Sequence, residues 1–245
     1  MPWIRLATGF LFSTLVLAQE LPAGRVIPIK LSTGLNAKHD EAGKKVEGVV
    51  MQEVLLPAGA KISEKARVRG HLVSVTKPSP SGSGMVVRFD TIEDQQHTIP
   101  LKAAVLALAS VDNVSQARTP INSSSDLDPV SQWVTRQVGG DVVNRGRGKV
   151  GSGEGVIGTW VEGSSVRTKL TPNPQEGCPG GPGYDEEQAV WVFSSAACGT
   201  YGLGRLKIVS SGGTPPVGDI VLKSTGNVAL RGGSGWLLIV VADSE

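Results

Sequence analysis

The sequence predicts a mainly β protein: a small β-barrel or sandwich, then a short helix, then a second strand-rich region. Three observations carry this. Gly is 32 and Pro 15 of 245 residues, a turn content that favours short strands over long helices. The tetrapeptide Leu-Pro-Ala-Gly stands at Leu21–Gly24 and again at Leu56–Gly59, each time ahead of a strand-like run. Polar and apolar residues alternate along Ala66–Val73, so one face of that strand is solvated.

Each element has its own reason. Pro fixes φ at about −65° and Gly accepts positive φ, so each Leu-Pro-Ala-Gly turns the chain and releases it into an extended run. The runs are Arg25–Leu35 and Lys61–Val75. In the first, Pro28 lies among Val26, Ile27 and Ile29, and its missing N–H predicts an edge or a bulge. Lys38–Lys45 reads as a charged loop, and Val46–Leu56 as the next strand. Pro78–Gly84 is expected to be a hairpin loop before the strand Met85–Asp90. After a turn at Glu93–Gln96, His97–Ala109 closes the unit.

The Asn, Ser, Thr and Pro of residues 112–127 read as a linker. Residues 19–111 are then the barrel, and 128–245 a helix plus a β-rich region. Asp128-Pro129 offers an N-cap and a Pro at the first helical position. Val130, Trp133, Val134 and Val138 follow at helical spacing, and Gly139-Gly140 ends the run. Beyond it, Val156–Val161, Ala189–Ser194, Leu206–Val209, Asp219–Leu222, Asn227–Leu230 and Trp236–Val241 read as strands between Gly/Pro/Ser turns. They make either a second β unit or strands added to the first.

Residues 1–18 read as an export signal: Arg5, then the apolar run Leu6–Leu17, then cleavage after Ala18. The run is shorter than the ~20 residues a span needs, which argues against an uncleaved anchor, and no later segment is apolar enough to cross as a helix, so the mature chain is expected not to cross a membrane. The expected location is the periplasm or cell surface of a Gram-negative bacterium. The formal net charge is +2, which gives no argument for nucleic acid as a partner.

Chemistry is sparse. Cys178 and Cys198 form an even pair in an exported chain, which reads as a disulfide that pins the loop Pro172–Gly183 onto the strand before Cys198. Its loss is expected to stay local to the C-terminal half and leave the Leu21–Ala109 barrel folded. A catalytic Cys198 would need a nearby base, and His39, His71 and His97 all lie in the other half. No His-x-His or Glu-x-x-His spacing suggests a metal. Asp185-Glu186-Glu187 reads as a solvated turn rather than a calcium loop. Gly146-x-Gly148-x-x-Gly151 precedes a strand, not a helix, so it reads as a hinge or close packing contact rather than a phosphate cradle. No Gly-x-Ser-x-Gly elbow is present. The expectation is no enzyme, no metal and no cofactor. Trp160, Tyr184, Trp191, Tyr201 and Trp236 are candidate binding aromatics, set against burial among Val190, Val192, Phe193, Leu237 and Leu238.

The order Pro-Ala-Gly, Ile-Pro and Leu across Pro22–Leu31 continues with a strand near Val46 and Leu-Pro-Ala-Gly-Ala at Leu56–Ala60. Arg69-Gly70-His71-Leu72 and Val86-Val87-Arg88-Phe89-Asp90 follow. Over Leu21–Ala109 this resembles the C-terminal β-barrel module of TrbI/VirB10-like proteins. The resemblance implies a barrel and an envelope location. Members of that family build the outer-membrane collar of type IV secretion channels. This chain lacks their Pro-rich stalk and inserted helical pair. The functional expectation is an exported, non-enzymatic envelope module that binds or scaffolds a protein partner, possible ties to secretion or conjugation assemblies included. The alternative is a secreted glycan- or surface-binding β protein that uses the C-terminal aromatics.

Overall fold

Strands from both flanks of the chain pair into one sheet. A computed structural model describes residues 20–121, 134–140, 142–144, 149–152, 155–161, 165–172, 178 and 185–242. The expected export signal, Trp133 and Tyr184 lie outside these residues. The first strands are β1 (Val26–Leu31), β2 (Leu35–Asn36), β3 (Lys45–Val50), β4 (Val54–Leu55), β5 (Lys61–Ile62) and β6 (Arg67–Ser79). Then come β7 (Gly82–Asp94), β8 (His97–Pro100), β9 (Ala103–Ala109) and the helix α1 (Val111–Gln116). After it lie β10 (Val134–Arg136), β11 (Val142–Asn144), β12 (Lys149–Ser152), β13 (Gly155–Val161), β14 (Ser165–Lys169) and β15 (Glu187–Ala189). The chain ends with β16 (Gly199–Tyr201), β17 (Leu206–Ser210), β18 (Ile220–Ser224), β19 (Ala229–Leu230) and β20 (Gly235–Val240).

The main sheet has ten strands in the order β16-β9-β20-β1-β3-β6-β7-β18-β17, with β8 also on β7. It curls until its two ends meet and nearly closes as a barrel. Val105 N–H donates to the Ser211 carbonyl at 2.8 Å, and Thr200 Oγ1 donates to the Leu206 carbonyl at 3.1 Å. Closure leaves little free strand edge for unwanted pairing. The late strands expected to follow the barrel are therefore divided. Within 199–240, β16, β17, β18 and β20 complete the sheet begun by 26–109, with β20 between β1 and β9 and β18 beside β7, while β19 pairs with β2 in a small sheet of its own. Those within 134–189 form two smaller sheets, β10-β11 and β12-β13-β14-β15.

Two apolar cores result. Inside the barrel, Trp236, Leu238 and Val240 of β20 pack with Val68, Leu72 and Phe89. On the other face of the same strand, Leu237 and Ile239 join Ala104, Ala107, Val190 and Phe193 in an outer core, covered by the inserted sheets. This explains why β9 and β20 are apolar throughout and buried throughout: both faces have a core to fill. Strand β9 changes phase to do so. Its register against β20 skips Leu106, so Val105 and Leu108 both reach the inner core.

Several expectations are corrected. Pro28 is not on an edge strand: β1 is paired on both sides. The β3 ladder stops at Ile29–Val50, and at Pro28 only the carbonyl is used, accepting from Met51 N–H at 3.0 Å. No donor is required there, so proline fits. The helix expected over 128–138 is not found at Val134–Arg136, which is strand and pairs with Val142–Asn144. The rest of that run lies outside the described residues apart from the turn at Gln137–Gly140. The short helix is instead α1, at the start of the expected linker. Ser110 caps it, its side chain accepting from Asn113 N–H at 3.2 Å. The hairpin between β6 and β7 is tighter than a Pro78–Gly84 loop, because Ser79 already pairs with Gly82. The glycine-rich stretch does not form a hinge at Gly151 and Gly155, which lie in the paired strands β12 and β13.

Candidate functional site

The two Leu-Pro-Ala-Gly turns meet. Both stand at the barrel end where β1 begins and β20 finishes, and together they wall a groove of about 690 Å³. Leu21, Pro22 and Ala23 come from the first turn, Leu56, Pro57 and Ala60 from the second. Pro100, Lys102, Val241 and Ala242 complete the wall, with Glu20 at the chain's approach.

Local chemistry sets this shape. Gly24 has φ 83°, and Ala58 and Gly59 have φ 57° and 78°, so each turn uses the left-handed region. Their backbones satisfy themselves. Leu56 N–H donates to Ala60 O at 2.8 Å, Gly24 N–H to Val240 O at 2.8 Å, and Val241 N–H to Lys102 O at 3.0 Å. Pro22, Pro57 and Pro100 carry no N–H at all. The groove thus offers apolar side chains rather than a ladder of donors. Just beyond Ala60, Lys61 Nζ donates to Glu53 Oε2 at 2.7 Å. That hydrogen bond and the Glu53 charge hold the Lys61 amine above its ordinary pKa.

The candidate aromatics are not gathered. Trp236 is 0% exposed and packs edge-to-face on Phe89, with ring centroids 5.5 Å apart. Trp191 is 1% exposed in the outer core. Neither offers a ring face to a ligand; for these two the burial weighed against binding in the sequence is what the fold shows. Trp160 is half-buried against the outer core. Tyr201 lines a different cleft of about 880 Å³, between α1 and the turn at Gly139–Gly140.

Cys178 and Cys198 form a disulfide with Cα atoms 6.1 Å apart, inside the usual range of about 4.4–6.8 Å. Cys198 leads directly into β16, the strand at the barrel seam. Its N–H donates to the Tyr201 hydroxyl at 3.0 Å, and Ser110 N–H donates to the Tyr201 carbonyl at 2.9 Å. The bridge therefore clamps a strand of the barrel, not only the loop before it. We predict that Cys178→Ser with Cys198→Ser lowers stability by about 2–4 kcal/mol, as for a closed loop of this size. Urea denaturation followed by Trp fluorescence, to which Trp191 of the outer core and Trp236 inside the barrel both contribute, should report the loss. A transition unchanged from the parent would show that the clamp does not reach the barrel.

The remaining polar residues are spread over the barrel wall. His71 Nδ1 lies 2.8 Å from Asp90 Oδ2, and Arg69 pairs with Glu93 at 2.9 Å on the same wall. Asp185 is exposed, and Glu186 pairs with Arg25 at 2.9 Å. Among the described residues, no three His, Cys, Asp or Glu side chains gather as a metal site. Also among them, no helix is long and apolar enough to cross a membrane. The tetrapeptide repeat was visible in the sequence, but its convergence on one groove depends on pairings between distant strands. Compared with known proteins, the chain matches no family model and no curated protein.

Proposed function

We propose that this is an exported, non-enzymatic module of the cell envelope that binds or scaffolds another protein. The observation that carries the reading is the apolar groove between the two Leu-Pro-Ala-Gly turns. Its proline-rich wall suits side-chain contact with an apolar segment of a partner. The export-type leader, the disulfide and the resemblance of Leu21–Ala109 to TrbI/VirB10-like barrels support an envelope setting. A role beside secretion or conjugation assemblies follows from that resemblance alone. The glycan-binding alternative loses support from Trp191 and Trp236, which are buried.

Site-specific photo-crosslinking tests the proposal. A photoreactive residue at Ala60, in the groove, should trap one discrete protein in cell envelopes. The same residue at Lys38, in the loop joining β2 and β3 at the other barrel end, should not. Equal crosslinking from both positions, or none from Ala60, would sink the groove as a docking site.

A further inference from the structure

The barrel wall carries a like-charged pair that has no ion-pair partner among the described residues. Lys207 of β17 and Lys223 of β18 are direct cross-strand partners, and both are exposed. Opposed like charges on neighbouring strands destabilise a sheet. The row continues to Gly84 of β7 and Thr76 of β6. Gly84 has no side chain, so Lys223 Cγ would lie 3.7 Å from a Cβ placed there. Arg205 is exposed just before β17. Between Gln188 and Ala242 the only carboxylate is Asp219, and Arg88 holds it at 2.6 Å. Arg205, Lys207 and Lys223 have no ion-pair partner among the described residues. One row along, Val209 is 57% exposed and Val221 is half-buried on the same outer face.

We infer that this face is a second interaction surface, separate from the groove, and that it takes an acidic, partly apolar segment of a protein. A carboxylate set between Lys207 and Lys223, on strands about 4.8 Å apart, turns their mutual repulsion into two favourable contacts. An apolar side chain beside it covers Val209. The alternation of charge and valine across the rows matches a segment whose acidic and apolar residues alternate in the same way. Three cations fall short of the clusters of about four to eight that read as lipid-headgroup sites. They are also too few for the concentrated basic surface that a phosphate backbone requires.

Two measurements on the full mature chain decide this. The first needs no ligand: Lys207→Glu should raise the melting temperature by about 1–3 °C, because it replaces repulsion with attraction. An unchanged or lower value would remove the premise. The second uses a short fluorescent peptide of alternating glutamate and valine, read by anisotropy at low salt. Binding should weaken about fivefold or more in the double variant Lys207→Gln with Lys223→Gln. It should change less than about twofold in Lys38→Gln with Lys45→Gln, which removes the same charge elsewhere. Absence of binding, equal loss in both variants, or equal binding of a glutamine–valine peptide would overturn the inference. So would phosphatidylglycerol vesicles whose binding shows the same dependence on Lys207 and Lys223, since that would make the surface a membrane site.

Discussion

Trp236→Ala should lower folding stability by about 3–5 kcal/mol, enough to unfold a large fraction of a marginally stable domain. The indole is 0% exposed and stands edge-on to Phe89, with an interplanar angle of 87°. It sits on β20, which joins β1 to β9, so the cavity would open where the two flanks of the chain meet. Trp236→Phe should be far milder. Trp236 Nε1 is buried without a hydrogen-bond partner among the described residues, so losing it forfeits no hydrogen bond to them, while phenyl retains most of the apolar volume. Urea denaturation gives both numbers, provided the slope of the transition is unchanged. Similar losses for Ala and Phe would mean that the exact ring shape matters more than filled volume. A loss below 1 kcal/mol for Ala would mean that Trp236 is not central to the inner core.

What the sequence made legible was local. The alternation along Ala66–Val73 became the half-solvated strand β6, and the pair Cys178–Cys198 became the disulfide. The turn chemistry of Leu21–Gly24 and Leu56–Gly59 is also there, in positive φ values that Gly tolerates. Long-range pairing was not legible. Nothing local in Val26–Leu31 says that its partner is Gly235–Val240, since many apolar strands would satisfy the same pattern. Helical spacing at Val130–Val138 was a weak signal, and β-branched Val134 and Thr135 instead found partners in Asn144 and Val143, respectively. The cap Ser110 was hidden because Val105, Leu106 and Leu108 before it read as strand, and the helix it starts is short. Both the groove and the Lys207–Lys223 pair are products of register. They exist only once distant strands are set side by side, so residue spacing along the chain could not display them.

A chain consisting of residues 20–121 alone should fail to fold, although it holds the whole stretch Leu21–Ala109 that resembles a barrel module. Without β20, strand β1 loses its partners from Val26 to Lys30, and β9 loses its own from Ala103 to Ala109. Without β18, strand β7 loses its pairing from Ser83 to Val87. Three long edges would be exposed together, and the inner core would lose Trp236, Leu238, Ile220 and Leu222. Open edges beside an incomplete core favour aggregation over folding. The fragment should show no cooperative thermal transition and poor amide dispersion. A cut in the exposed stretch at Thr119 or Ile121 of the intact protein should behave differently. There the two pieces should stay together on size exclusion under native conditions and separate only in denaturant, because β20 and β18 hold them in one sheet. A monomeric fragment 20–121 with a sharp transition and dispersed amides, or a nicked protein whose halves part in buffer, would show that residues 20–121 close a core of their own.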